Sequence, residues 1–183
     1  MGPFAPKAGG LLAAATDDGL RVRKGTLVGR TGKSVVEPDT RLNGSMAGLL
    51  LKASGEGSLL LGDAGRVPFL RTLSREFLSV EPGRLLAFEE SITYRDDPAF
   101  EQKRGGERPF LKLYGSGAVA LSSVSEPARF DVEWGQPLTL LHRIVVAYGG
   151  ELVPEIVEAP GDGFDEGPVV RFVGAGFVLA DAR

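Results

Sequence analysis

The feature that most constrains the fold of this chain is a short pattern that occurs three times at nearly equal steps. A Gly-x-Gly step lies at Gly55–Gly57, at Gly115–Gly117 and at Gly174–Gly176, so the copies are separated by 60 and 59 residues. Apolar residues flank each copy. A fixed period of this length is typical of repeated structural units, which bury their apolar faces only when several copies pack together. We predict that all six glycines are structural turn residues between two strands, because glycine readily adopts positive φ.

A second element follows the same step. Leu78–Phe88 matches Leu138–Tyr148 at an offset of 60 residues, and it matches Leu20–Arg30 at an offset of 58. Three internal repeats of about 60 residues, related by pseudo-threefold symmetry, are therefore predicted. The predicted units are 50–109, 110–169, and 170–183 joined in space to 10–49.

Joining the two ends of the chain has a structural consequence. It places Phe177–Ala180 close to Leu11–Ala15. We expect this contact to close the arrangement without a free sheet edge, because free edges promote aggregation. Residues 1–9 contain two prolines and two glycines without a periodic pattern, and they are expected to form a flexible N-terminal arm. The domain prediction is then an arm over 1–9 and a single all-β domain over 10–183.

The repeated elements read as strands. Leu20–Arg23 alternates apolar and charged residues, which is the period of a half-buried strand. Phe110–Tyr114 and Phe130–Val132 alternate in the same way, and glycine, proline or aspartate bounds most of these runs. We predict an all-β fold, an antiparallel β-sandwich or barrel similar to a double-stranded β-helix. It should contain about twelve to fifteen short strands and little helix.

Composition excludes several kinds of chemistry. The 183 residues include no cysteine and one histidine, His142, so thiol catalysis, cysteine-based zinc sites and histidine-rich metal centres are excluded. His142 aligns with Pro82, which favours a turn over a catalytic role. No catalytic residue, cofactor or metal is predicted. The N-terminal residues show no leader pattern and no apolar run is long enough to span a bilayer, so a cytoplasmic location is expected.

The segment 78–94, LSVEPGRLLAFEESITY, follows a Gly-x-Gly hairpin and resembles the altered inheritance of mitochondria protein family, in particular a bacterial member. The positions that carry the resemblance are Gly55, Gly57, Val80, Gly83, Ala87, Phe88, Ser91 and Tyr94, with Tyr114–Gly117 as the later hairpin. The likeness covers residues 45–125 well. It implies a β-fold similar to that of the trp RNA-binding attenuation protein, and a role in scaffolding.

A basic stretch offers a second interpretation. It consists of Arg21, Arg23, Lys24, Arg30 and Lys33. Such a row can contact phosphates, an acidic partner protein, or carboxylates such as Asp17, Asp18 and Glu37 of the chain itself. The net charge of −3 argues against a generally basic coat but allows a local anion or partner surface.

The sequence therefore predicts a non-enzymatic β-scaffold or assembly protein that self-associates as a homo-oligomer. An unknown protein partner could bind the longer polar loops, 34–47, 95–108 and 155–168, because loops on a rigid scaffold often carry binding. The alternative is an RNA or small-ligand binding module. A hydrolase or isomerase on a cupin-like barrel is a third class, disfavoured by the lack of cysteine and the single histidine.

Overall fold

A computed structural model of the protein describes residues 2–41, 47–97, 110–157 and 167–181. Fifteen strands account for most of these residues, and the remaining regular structure is three short 3-10 segments, Ala8–Gly10, Pro82–Arg84 and His142–Ile144. The strands are β1 (Phe4–Lys7), β2 (Leu11–Ala15), β3 (Leu20–Arg23), β4 (Leu27–Gly32), β5 (Val35–Pro38), β6 (Leu50–Ser54), β7 (Gly57–Gly62), β8 (Val67–Val80), β9 (Leu85–Glu89), β10 (Thr93–Asp96), β11 (Leu111–Ser123), β12 (Ala128–Val132), β13 (Leu138–Leu141), β14 (Val145–Val157) and β15 (Val169–Ala180).

The strands form two sheets. The smaller has the order β1-β2-β7-β4. The larger has the order β12-β15-β14-β8-β11-β9-β3-β6-β5, with β10 added on β11 and β13 added on β15. Every pairing between these strands is antiparallel. The predicted all-β, antiparallel class is confirmed, but four strands are long, with 12 to 14 residues each.

The predicted closure through the chain ends is wrong. Leu11–Ala15 pairs with β1 and with β7, whereas Phe177–Ala180 pairs with β12 and β14. Over the described part of the chain both sheets are open, so free edges remain there. The expected flexible arm is also incorrect in part, because Phe4–Lys7 forms β1 along the edge of β2 and the side chain of Phe4 is buried.

In each predicted unit, the strand that leads into the Gly-x-Gly step pairs with an earlier strand. Leu20 of β3 lies opposite Ala53 of β6, Leu78 of β8 lies opposite Leu113 of β11, and Leu138 of β13 lies opposite Phe172 of β15. Three other pairs, β4–β7, β9–β11 and β14–β15, each contain a register shift directly after the first residue of β4, β9 or β14. These shifts fall between Leu27 and Gly29, between Ala120 and Leu121 opposite β9, and between Val145 and Ala147.

Of the three Gly-x-Gly pairs, only one makes the predicted turn between separate strands. Gly55 and Gly57 flank the bend that separates β6 from β7, whereas the other two pairs lie inside the continuous strands β11 and β15. Gly55, Gly115 and Gly174 all have positive φ. A Cβ at Gly55 would lie 2.7 Å from the carbonyl oxygen of Lys33, so the glycine permits close backbone approach as well.

The core consists of three apolar clusters along the array of strands. The first contains Leu20, Val22, Leu59 and Leu61 with Leu86 and Ala87. The second is built mainly from β8, β9 and β11, with Val146, Ala147 and Phe177 added from β14 and β15. The third contains Val145, Tyr148, Phe172 and Val178 together with Phe110. Strands that are distant in sequence therefore share each cluster.

The predicted polar loops begin later than the sequence indicated. Val35–Pro38 and Thr93–Asp96 are strands, and β14 extends to Val157. The remaining central parts of the three predicted loops, 42–46, 98–108 and 158–166, lie outside the described residues.

Candidate functional site

Strands β4 and β13 are two of the edge strands that distinguish this molecule from a closed β-structure. Within the described residues, β4 pairs only with β7, and β13 pairs only with β15. The strands that match β4 in sequence are β9 and β14, and each has two partners. Strand β9 pairs with β11 and β3, and β14 pairs with β15 and β8. The unpaired sides of β4 and β13 are therefore open to another strand.

The apolar residues of β4 are exposed where their sequence equivalents are buried. Val28 is 60% exposed, whereas Leu86, 58 residues further on, is 1% exposed and Val146, another 60 residues on, is 0% exposed. Leu27 is exposed, while Leu85 and Val145 are fully buried. An exposed edge strand with apolar side chains is a site for pairing with another chain.

Strand β13 shows the same contrast. Leu138 and Leu140 are half-buried, although Leu78 and Val80 at the equivalent positions of β8 are completely buried. Leu20 and Val22 of β3 are buried as well. Both β3 and β8 are covered by a further strand, β9 and β14 respectively.

We call the β3–β9 and β8–β14 pairings the two internal junctions. At each junction an arginine donates a hydrogen bond to the backbone of the neighbouring segment. At the β3–β9 junction Arg23 Nε donates to the carbonyl oxygen of Leu85 at 2.6 Å. At the β8–β14 junction Arg84 Nη2 donates to the carbonyl oxygen of Arg143 at 3.1 Å. Each guanidinium satisfies a backbone acceptor of the neighbouring strand segment and so fixes one segment against the next.

A buried ion-pair network lies beside the first junction. Arg21 is only 4% exposed; its Nε lies 2.6 Å from Asp39 Oδ2 and its Nη2 lies 2.8 Å from Glu90 Oε1. Asp39 also accepts hydrogen bonds from Tyr94 and Arg41. The buried guanidinium is therefore neutralised by two carboxylates from different parts of the chain.

The network fixes the charge state of its members. Burial raises the pKa of Asp39, but hydrogen bonds from Arg41 and Tyr94 outweigh that effect and hold the pKa well below its ordinary value. The hydrogen bond from Arg21 lowers the pKa of Glu90. Both carboxylates consequently stay ionised at neutral pH.

A related contact occupies the second junction. Ser79 Oγ donates to Asp97 Oδ2 at 2.5 Å, and the hydroxyl of Tyr148 donates to the same oxygen. Burial, followed by the charge of Asp97, raises the pKa of Tyr148 far above its usual value, so the phenol stays protonated. Asp97 thus joins β8 to β14 as Asp39 joins β3 to the segment that follows β9.

The structure divides the predicted basic surface. Arg21 is engaged as described, and Arg23 Nη2 lies 3.1 Å from Asp63 Oδ2, so neither projects freely into solvent. Lys24, Arg30 and Lys33 are exposed along or beside β4. The predicted basic row therefore reduces to these three exposed cations.

Two other sequence predictions concern chemistry. His142 begins the 3-10 segment His142–Ile144 and Pro82 begins Pro82–Arg84, which agrees with the turn predicted from their alignment. Among the residues described, no group of three or more histidine, aspartate or glutamate side chains is arranged to hold a metal ion. In the same part of the chain no helix is long and apolar enough to cross a membrane.

Comparison with known proteins yields a fold relative. No family model matches the chain, and no curated protein matches it. The crystal structure of protein SPYM3_0169 from Streptococcus pyogenes, a structural genomics target, is similar with a TM-score of 0.81 and 19% sequence identity. The match covers 98% of this chain and 93% of that one. At this identity the likeness establishes a shared fold over the whole chain.

Sequence reasoning missed the open edges at β4 and β13. The signal was present: Leu27–Val28 is as apolar as its buried equivalents Leu85–Leu86 and Val145–Val146. What hid it was the predicted closure, which assigned every strand a partner within the chain.

Proposed function

We propose that this protein is a non-enzymatic β-scaffold that self-associates through its open strand edges. One observation carries the proposal: β4 presents Leu27 and Val28 to solvent, while the matching residues of β9 and β14 are buried under a neighbouring strand. Burial of an apolar edge against another strand is favourable at about 25 cal/mol per Å². The resemblance of residues 78–94 to the altered inheritance of mitochondria family is consistent with a scaffolding role.

The proposal includes three consecutive repeats, 11–62, 67–123 and 128–180, in place of units cut by the chain ends. Its support is the pairing register. The opposed pairs Leu20–Ala53, Leu78–Leu113 and Leu138–Phe172 occupy equivalent sequence positions, and a register shift follows Leu27, Leu85 and Val145 alike. Each repeat then begins with β2, the start of β8, or β12.

In this interpretation the first strand of each junction belongs to one repeat and the second to the next. The junctions β3–β9 and β8–β14 join the first repeat to the second and the second to the third. Among the residues that the structure describes, β13 of the third repeat has no strand of a following repeat beside it, and β4 of the first repeat has no strand of a preceding repeat beside it. Arrays of this kind expose an interface at each end unless it is capped or used for assembly.

The test is the mass of the native particle. Native mass spectrometry and light scattering should give a discrete multimer or a concentration-dependent distribution for the unmodified chain. Val28→Lys should reduce it towards the mass of one chain, because a charge on β4 cannot be buried in a strand junction. A strict monomer of the unmodified protein at high concentration would overturn the proposal.

Val153→Lys is the matched control. Val153 is 59% exposed, on a strand as Val28 is, but its equivalents Val35 and Thr93 are exposed too, so no junction covers this position. Its particle mass should equal that of the unmodified chain. If both variants dissociate equally, a general effect of added charge explains the result and the β4 edge is not the site.

Binding of RNA or another polyanion is the second candidate, favoured by the exposure of Lys24, Arg30 and Lys33. With Arg21 and Arg23 held by internal carboxylates, charge reversal at those two would test folding rather than binding. A salt-dependent shift of RNA that Arg30→Glu with Lys33→Glu removes would support this function. Absence of binding at low salt would exclude it.

A further inference from the structure

We propose that the partner at the open edge is a second copy of the chain, joined head to tail, with β13 of one copy pairing antiparallel with β4 of the next. This inference rests on the proposed function and specifies its interface. The chain carries both halves of a junction that it already forms twice internally, and within the described residues neither half has its counterpart. A second copy supplies both counterparts.

The internal junctions determine the register of the new one. At the first, Leu20 lies opposite Glu89, Arg21 opposite Phe88 and Val22 opposite Ala87. At the second, Leu78 lies opposite Gly149, Ser79 opposite Tyr148 and Val80 opposite Ala147. Continuing the same offsets places Leu138 opposite Thr31, Thr139 opposite Arg30 and Leu140 opposite Gly29 of the next copy.

The side chains fit this register. Leu138 and Leu140 are half-buried against the third core cluster, and they face residues of β4 that carry little bulk, Gly29 and Thr31. Val28 takes the place that Leu86 and Val146 hold at the internal junctions, where both are buried in the core of the neighbouring segment. Its exposed surface would be covered by the third cluster of the adjoining copy.

The interface joins two different surfaces, so it is heterologous. Each copy uses β13 towards one neighbour and β4 towards the other, and assembly continues until the rotation between copies closes a ring or produces a filament. The β4 edge paired with another β4 would instead make a twofold dimer. That dimer would leave Leu138 and Leu140 uncovered in both copies, and so the internal junction favours the heterologous contact.

Single-cysteine variants can test the direction of pairing because the chain has no cysteine. Arg30→Cys and Thr139→Cys are made as two separate proteins. In the proposed register these residues are directly opposed, and opposed residues of antiparallel strands have Cβ atoms about 4.5–5.5 Å apart, close enough to crosslink. When the two proteins are mixed and treated with a mild oxidant or a short bismaleimide, a covalent dimer should form. Each variant alone should remain uncrosslinked.

The control replaces Thr139→Cys by Val153→Cys, which the junction leaves uncovered, and no mixed dimer is expected. Light scattering on the same mixtures shows whether the copies associate. Association with a crosslink in Arg30→Cys alone, or with no crosslink between Arg30→Cys and Thr139→Cys, overturns the head-to-tail pairing but leaves self-association intact. Failure of every mixture to associate overturns the proposed function itself.

Discussion

At the scale of residues, the unusual feature is a charged side chain placed where the sequence pattern predicts a half-buried strand. Arg21 alternates with Leu20 and Val22, and such a residue normally faces solvent. Here both faces of β3 are covered, so the guanidinium is buried and two carboxylates surround it. An isolated buried charge is costly, and removal of one partner of such a pair exposes that cost.

Asp39→Ala should therefore destabilise the protein by about 3–5 kcal/mol, because it leaves Arg21 buried with less compensation. Asp131→Ala is the control: it breaks the exposed pair with Arg129, which is worth about 1 kcal/mol or less. Denaturant unfolding of the two variants measures the difference. Equal losses of unfolding free energy would show that burial of the Arg21 pair contributes nothing special.

The same pair gives a pH dependence with a defined sign. The pKa of Asp39 is lowered on folding, so the unfolded chain binds more protons once the pH falls to the ordinary carboxyl pKa of about 3.9. The stabilisation is fully present above that pH and is lost as the pH falls through the range below it. We expect the Val28→Lys background to abolish the proposed self-association, so unfolding can be measured on single chains. Urea unfolding in that background at pH 7 and pH 3 should show a smaller loss of stability with Asn at position 39 (Asp39→Asn) than with the original Asp39. An equally steep loss in both would contradict this assignment.

At the scale of elements, the glycines of the repeated pattern in β15 lie inside a continuous strand and allow close approach of β14, instead of forming a turn. Gly174 has a φ of +127° and its Cβ position collides with the carbonyl group of Glu151 in β14. Gly135 has a φ of +82° with no atom near its Cβ position. The two positions separate backbone strain from steric overlap.

Gly135→Ala should cost about 1 kcal/mol through φ alone. Gly174→Ala should cost clearly more, because β14 and β15 must separate locally to admit the methyl group. Thermal unfolding of both variants tests the comparison. A Gly174→Ala protein as stable as Gly135→Ala would mean that the two strands yield easily at this point.

At the scale of the whole molecule, assembly should be visible as stability. A chain that associates only when folded is stabilised by its own concentration through mass action. The Tm of the unmodified protein should therefore rise with protein concentration, and the Tm of Val28→Lys should not. At a concentration a hundredfold above the dissociation constant, mass action would add about 2.7 kcal/mol to the unfolding free energy of the associating protein. Equal dependence of the two Tm values on concentration would argue against edge pairing.

The strand content could be predicted because alternation and turn residues are local signals. The Leu20–Arg23 and Leu138–Leu141 strands appear where alternation or alignment placed them. Strand lengths were less accessible, since β11 and β15 continue through their glycines instead of turning. The backbones of Ser91 and Glu151 lie close against Gly115 and Gly174, and these contacts are distant in sequence.

The candidate site could be predicted only in part. Its apolar and basic residues are visible in the sequence, but their exposure depends on which strands meet. The sequence indicated that Arg21 could contact phosphate or an acidic group; folding brought Asp39 and Glu90 to it, from 18 and 69 positions further along the chain. Loop closure over such distances follows from the sheet topology and leaves no local pattern.

By itself, the amino-acid sequence determined the strand-rich class of this protein, its periodic glycines and the alternation that aligns one element with another, because these depend on side chains a few residues apart. Only the tertiary structure decided that the sheets stay open, that β1 pairs along β2, and that β4 and β13 have no second partner within the described residues. The physical reason is that hydrogen bonds across a sheet join any two backbones that come together, so side-chain pattern specifies a strand but not its neighbour.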